Sequence, residues 1–180
     1  MQKRFQLNKL HDEISSRFKN KKLVFGHGDI NAKIVFVGEA PGQEEEKQGK
    51  PFVGRAGMLL NSALAEAGIN HGDVYITNVV KFRPTKNGNN RAPSKKEVNV
   101  FIPFLLKELK IIKPSIVVTL GATALQALTG KKEVTKLRGK IITAKYFRIL
   151  PTFHPAAILR NPNRKRDFFD DIKKLKKLVK

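Results

Sequence analysis

The sequence predicts an α/β fold, a three-layer α/β/α sandwich around a central, mainly parallel four-stranded sheet. Three observations predict it. Four short apolar runs rich in β-branched residues lie at 33–37, 74–77, 115–120 and 147–150. Each is apolar on both faces, as a strand covered on both sides must be. Segments of helical period separate them, and strand-helix alternation with right-handed crossovers gives parallel pairing.

The first run ends at Gly38. After it, Ala56, Leu59, Leu60, Ala63, Leu64 and Ala67 recur at helical spacing, and Gly68 closes that helix. The second run ends at Asn78. Residues 83–96 then carry two Pro, Gly88, three Asn and five basic residues, a surface loop whose charge suits phosphate contact. Ser94 and Glu97 form a capping box, and Val98, Phe101, Leu105 and Leu109 stand on one stripe before Pro114 stops the helix. A short helix over 122–128 follows the third run and ends at Gly130. Phe168, Ile172, Leu175 and Val179 make the last helix amphipathic. With 180 residues and 41% hydrophobic content, the chain fits one domain over 1–180.

Thirty-six Lys and Arg against fifteen Asp and Glu give a net charge of +21. A Lys-rich surface can be merely solubilising, but this much self-repulsion on a small domain favours a polyanionic partner, and a phosphate backbone fits it. Cysteine is absent. That excludes a disulfide framework, a thiolate nucleophile and any Cys-held zinc or iron-sulfur group. The histidines lack metal-ligand spacing, and no Gly-rich phosphate loop is present. Residues 1–22 are polar and charged, and no run approaches the roughly 20 apolar residues of a membrane span. The expectation is a protein of the cytoplasm or nucleoid, without a membrane partner and monomeric.

In a sheet of this kind the working edge lies at the carboxyl ends of the strands. The residues there are unusual. Gly38-Glu39-Ala40-Pro41-Gly42 is a glycine-framed turn that lets backbone approach a ligand, although glycine after a strand is also a plain steric need. Four of the fifteen acids, Glu39, Glu44, Glu45 and Glu46, fall within eight positions of a basic chain. Glu44 to Glu46 fit the first turn of a helix; Glu39 or Glu45 is the candidate to orient water at a sugar carbon. Phe52 lies on an irregular loop where core packing and stacking on a base both remain open. Asn78 caps a turn or reads a base edge, offering one donor and one acceptor. His154, alone of four histidines, follows a buried run at this edge; His11, His27 and His71 read as surface residues. A neutral imidazole there is either structural or a donor to an oxygen that gains charge.

These residues stand in four ordered blocks: Gly38-Glu39-Ala40-Pro41-Gly42, the segment 49–57 around Phe52, Ile76-Thr77-Asn78-Val79-Val80-Lys81, and His154-Pro155-Ala156-Ala157. With Leu120-Gly121-Ala122-Thr123-Ala124-Leu125, they resemble the family 4 uracil-DNA glycosylases over residues 24–176. The resemblance implies a uracil-DNA glycosylase-like fold and monofunctional removal of uracil from single- or double-stranded DNA. Excision of hypoxanthine or xanthine, or a silent lesion-binding module, are the alternatives. It implies that Gly38, Glu39, Ala40, Pro41 and Gly42 line the base pocket, that Phe52 stacks, that Asn78 reads the polar edge and that His154 donates to O2. Glu45 falls at the family's acidic position near the sugar and base C5. Arg83, Lys86, Arg91 and Lys95, with Leu159 and Arg160 from the apolar segment 157–162, are the expected DNA contacts. The family typically holds an iron-sulfur cluster through four cysteines. Here those positions read as Phe82 and Phe101, with the other pair near His11 and Ile14, so no cofactor is expected and apolar packing takes the cluster's place.

Overall fold

The computed structural model describes residues 1–144 and 146–179. Its elements run α1 (Gln2–Arg17), β1 (His27–Gly28), β2 (Ile34–Gly38), α2 (Gln43–Gln48), α3 (Arg55–Glu66), β3 (Val74–Asn78), β4 (Thr85–Lys86), β5 (Asn89–Asn90), α4 (Lys95–Ile112), β6 (Ile116–Leu120), α5 (Ala122–Thr129), α6 (Val134–Leu137), β7 (Ile142–Thr143), β8 (Arg148–Thr152), α7 (Pro155–Arg160) and α8 (Lys165–Leu178). Strands β3, β2, β6 and β8 pair in parallel in that spatial order. They correspond to the four apolar runs. The sheet has six strands rather than the four expected, because β1 and β7 add antiparallel edges to β3 and β8. Each edge strand is two residues long, too short to carry an alternating pattern.

Period-two alternation divides the core. Ile34 and Phe36 of β2, with Val74 and Ile76 of β3, join Leu60 and Leu64 of α3 and Phe168 and Ile172 of α8. Val35, Val37 and Tyr75 join Leu10 and Ile14 of α1 and Phe101, Leu105 and Leu109 of α4. The sheet is thus covered on both faces, as its continuous apolar runs require. Among the described residues, no helix is long and apolar enough to cross a membrane.

Two segments differ from expectation. Residues 2–17, read as merely polar, form α1, which buries only the narrow stripe Leu7, Leu10 and Ile14 and packs on α4. Within 83–96, β4 and β5 pair as a hairpin across Asn87 (φ 51°) and Gly88 (φ 78°). An Asn-Gly pair is the strongest short hairpin signal, since both turn residues need positive φ.

His11 is not a surface residue. Its ring stacks on Phe25 with centroids 4.0 Å apart, and its Nε2 is buried without a hydrogen-bond partner. Burial lowers its pKa. Nearby, Phe101 stacks on Phe18 at 4.6 Å and packs against Phe82 at 5.8 Å and Phe104 at 6.1 Å. Lys21 lies 4.8 Å from the Phe82 ring and Arg17 5.6 Å from the Phe104 ring, so cations cap the aromatic group. The four positions assigned to cysteine by resemblance do not fit an iron-sulfur cluster. Ile14, Phe82 and Phe101 are carbon-only side chains at most 5% exposed, inside one apolar cluster with Leu10 and Leu105.

If aromatic packing holds α1 to α4, truncating it is costly. Phe101→Ala, and to a smaller extent Phe82→Ala, should destabilise the fold by about 3–5 kcal/mol, lowering the thermal midpoint by about 10 °C. Unchanged melting curves would remove this packing from the account of stability.

Candidate active site

Parallel register sets the neighbours at the carboxyl edge. Gly38 stands opposite Asn78, and Leu120 opposite Thr152, so the turns leaving β2, β3, β6 and β8 meet at one edge. After the strands end, Val79 and Val80 still donate to the carbonyls of Gly38 and Glu39 at 2.9 and 3.0 Å. A cavity of about 410 Å³ opens there. Of the residues expected to line a pocket, Glu39, Ala40, Pro41, Gly42, Glu45, Phe52, Asn78 and His154 all do.

Gly38 sits just behind the wall. A Cβ on it would stand 2.3 Å from Asn78 Oδ1 and 2.7 Å from Phe52 Cζ, so the ring and the amide converge only because that side chain is absent. Phe52 adopts φ 54°, a left-handed conformation uncommon for an aromatic residue. The residue is 8% exposed, and its ring lies 5.7 Å from the His154 imidazole at a tilt of 35°. Asn78 is 3% exposed, and its Oδ1 has no hydrogen-bond partner. A buried unpaired acceptor is unfavourable in the protein alone.

His154 caps α7. Its Nδ1 accepts the Ala156 backbone N–H at 3.1 Å. A backbone amide can only donate, so the neutral ring carries its proton on Nε2. Burial, then the nearby Arg160 charge, lowers the His154 pKa to about 4. At neutral pH this group is therefore a neutral donor, with Nε2–H unclaimed among the described residues.

The two candidate carboxylates differ in their partners. Glu45, in the first turn of α2, accepts from Gly42 N at 3.1 Å with one oxygen and from Val53 N and Gly54 N at 3.0 and 2.8 Å with the other. It clasps the turn after β2 to the Phe52 loop. Among the described residues, Glu39 is held from one side only, by the Thr123 hydroxyl at 2.5 Å.

The expected DNA contacts fall into two groups. Arg83 donates to Asn90 at 2.5 Å and pairs with Glu46 at 3.3 Å, while Arg91 forms a two-pronged pair with Glu97 at 2.7 Å per contact. Both are spent on anchoring the hairpin. Lys86, Lys95, Leu159 and Arg160 are exposed. Of the segment 157–162, residues 157–160 are helical and Ile158 is core, so Leu159 is its exposed apolar tip. Sequence reasoning missed Thr123, and it missed that Asn90 and Arg91 line the cavity. For Thr123 a signal existed: a hydroxyl one turn beyond a buried run at the same edge.

The profile of the Uracil DNA glycosylase superfamily matches residues 25–176. The chain is 48% identical over 163 residues to a type-4 uracil-DNA glycosylase of Thermotoga maritima, covering 88% of this chain and 83% of that protein. A type-4 enzyme of Sulfurisphaera tokodaii is 41% identical, with 96% and 84% covered. A type-5 uracil-DNA glycosylase of Pyrobaculum aerophilum is 30% identical, with 76% and 67% covered. The likeness spans the whole sheet and all four turns of its carboxyl edge, and the chain belongs to the uracil DNA glycosylase superfamily.

Proposed function

We infer that this protein is a uracil-DNA glycosylase, hydrolysing the N-glycosidic bond of uracil in DNA to leave an abasic site for base excision repair. The observation that carries the reading is the unpaired Asn78 amide oxygen at the cavity wall, with a neutral His154 donor in the same wall. Uracil presents O2 as acceptor, N3–H as donor and O4 as acceptor. The Asn78 oxygen accepts N3–H and its amide N–H donates to O4, whereas cytosine offers the reverse pattern.

In the roles proposed here, the nucleotide leaves the stack, which costs a few kcal/mol and least at a U·G mismatch or in a single strand. Phe52 stacks on the base. As the N1–C1′ bond stretches, its electron pair moves into the uracil ring and onto O2, where the His154 Nε2–H stabilises it. C1′ gains cationic character and is attacked by water, whose proton is released. Glu39 suits the orientation of that water, because only one side of its carboxylate is held. Glu45, with both oxygens on backbone N–H groups, suits shaping the pocket rather than proton transfer. Gly38, Ala40, Pro41 and Gly42 supply the close backbone wall. Lys86, Lys95, Leu159 and Arg160 are the proposed DNA contacts, with Arg83 and Arg91 fixing the hairpin beside them. The reaction, as proposed, needs no cofactor and no lysine nucleophile, so the strand stays intact.

Incubation with oligonucleotides carrying one uracil, hypoxanthine or xanthine, followed by alkali, tests the reading. Cleavage confined to the uracil strand is expected, and uncut uracil DNA would overturn it. Asn78→Asp should lower the single-turnover rate on uracil about 100-fold and shift preference toward cytosine; an unchanged rate removes Asn78 from base reading. His154→Ala should lower the same rate about 100-fold while DNA affinity stays near wild type. A loss confined to binding contradicts the donor role.

The lowered His154 pKa also has a stability signature. The unfolded chain binds a proton near pH 6.5 and the folded chain only near pH 4, so stability from this group is complete above 6.5 and lost as pH falls toward 4. His154→Asn keeps a capping acceptor without titrating. Urea midpoints measured from pH 7 down to 4 should fall more steeply for wild type than for this variant.

A further inference from the structure

One lysine of this basic chain is buried at the working edge. Lys81 is 1% exposed, and its three N–H bonds are all used, on Thr77 Oγ1 at 2.6 Å, Glu108 Oε2 at 2.6 Å and the backbone carbonyl of Asn78 at 2.8 Å. Glu108, from the C-terminal half of α4, is also 1% exposed. Its carboxylate accepts the Tyr75 hydroxyl at 2.9 Å and lies within 3.3 Å of the Thr77 hydroxyl. Burial, with the Glu108 charge beside it, pushes the Tyr75 pKa up, so that group stays a donor. The network is closed, and none of Lys81, Thr77, Glu108 and Tyr75 lines the cavity.

Stability does not explain such a pair. Desolvating two charges offsets most of their attraction, and apolar replacements of similar volume are often neutral or better. What an apolar pair cannot supply is a fixed donor to the carbonyl of Asn78. That carbonyl belongs to the last residue of β3, whose side chain carries the unpaired amide oxygen. An amide distinguishes uracil from cytosine only while its two ends stay in register with the base edge, and a displacement of about 1 Å can cost about 100-fold in rate.

We propose that Lys81 and Glu108 are positioning residues for base selection: the buried pair ties the Asn78 backbone to α4 and so fixes the amide that separates uracil from cytosine. The proposal rests on the reading of Asn78 as the base reader. Electrostatic networks that orient a contacting group from behind are a general requirement of precise sites.

The test is a mutant cycle on the full chain. Lys81→Met with Glu108→Gln removes both charges together and leaves Tyr75 an acceptor, so no lone charge is buried. Single-turnover excision of uracil, the inhibition constant for free uracil and the uracil-to-cytosine rate ratio are measured beside thermal melts. The pair variant should remain folded, lose about tenfold in rate, bind free uracil about tenfold more weakly and show a lower rate ratio. In an Asn78→Ala background the same pair should add less than about twofold, because it acts through Asn78. Losses that multiply in that background, or a pair variant with wild-type values, overturn the proposal. An Asn78→Ala protein with wild-type discrimination sinks the reading of Asn78 itself, a separate outcome. Should the pair variant fail to fold, Thr77→Val removes the hydroxyl that bridges the two charges, and the same cycle applies with a smaller expected loss of about threefold.

Discussion

The site depends on one steric condition, the missing side chain at Gly38. Three groups that must meet a flat ligand come from three separate stretches of chain: Asn78 from the end of β3, Phe52 from the loop before α3, and His154 from the cap of α7. Gly38 is opposite Asn78 in the sheet, and any Cβ there would overlap both the amide and the phenyl ring. Close-packed interiors do not relax to absorb such an overlap without moving backbone. The sheet register and the pocket are therefore one construction, with Phe52 in a left-handed conformation and its ring against Gly38.

The acids in and around the pocket pose an electrostatic problem in a protein that binds a polyanion. It is solved locally, one carboxylate at a time. Glu45 is satisfied by three backbone N–H groups, Glu46 by Arg83 and Glu97 by Arg91, which holds the Glu97 carboxyl down to about 2. Glu39 keeps one carboxylate oxygen outside its contact with the Thr123 hydroxyl, and the exposed Glu44 also lines the cavity. Matching Glu45, Glu46 and Glu97 limits the negative charge at this edge, and the chain's net +21 dominates the wider field.

Much of this was legible in the residues. The four parallel strands are visible because strands covered on both faces are apolar throughout, and the pocket residues because glycine, amide and imidazole gather at the strand ends in the blocks that carry the family resemblance. The edge strands β1 and β7 were not, since two residues paired through the main chain leave no side-chain pattern. Helix α1 escaped notice because three buried residues in sixteen make a stripe too thin to see among lysines and arginines. The hairpin at Asn87 and Gly88 is legible in its Asn-Gly pair, although the charge and proline content of 83–96 reads as a surface loop. Partners such as Thr123 with Glu39, or Lys81 with Glu108, are tertiary facts: 84 and 27 residues separate them, and no local spacing announces the contact.

The aromatic group under α1 changes the thermodynamics of the fold. A metal clip holds two segments by directional bonds whose formation is tied to thiolate chemistry; rings packed on rings hold them by dehydration and dispersion. Such an attachment needs no assembly step, offers oxidants no sulfur to attack at these positions, and carries a large heat-capacity signature. Its strength therefore fades on cooling, which a set of metal–thiolate bonds would not do.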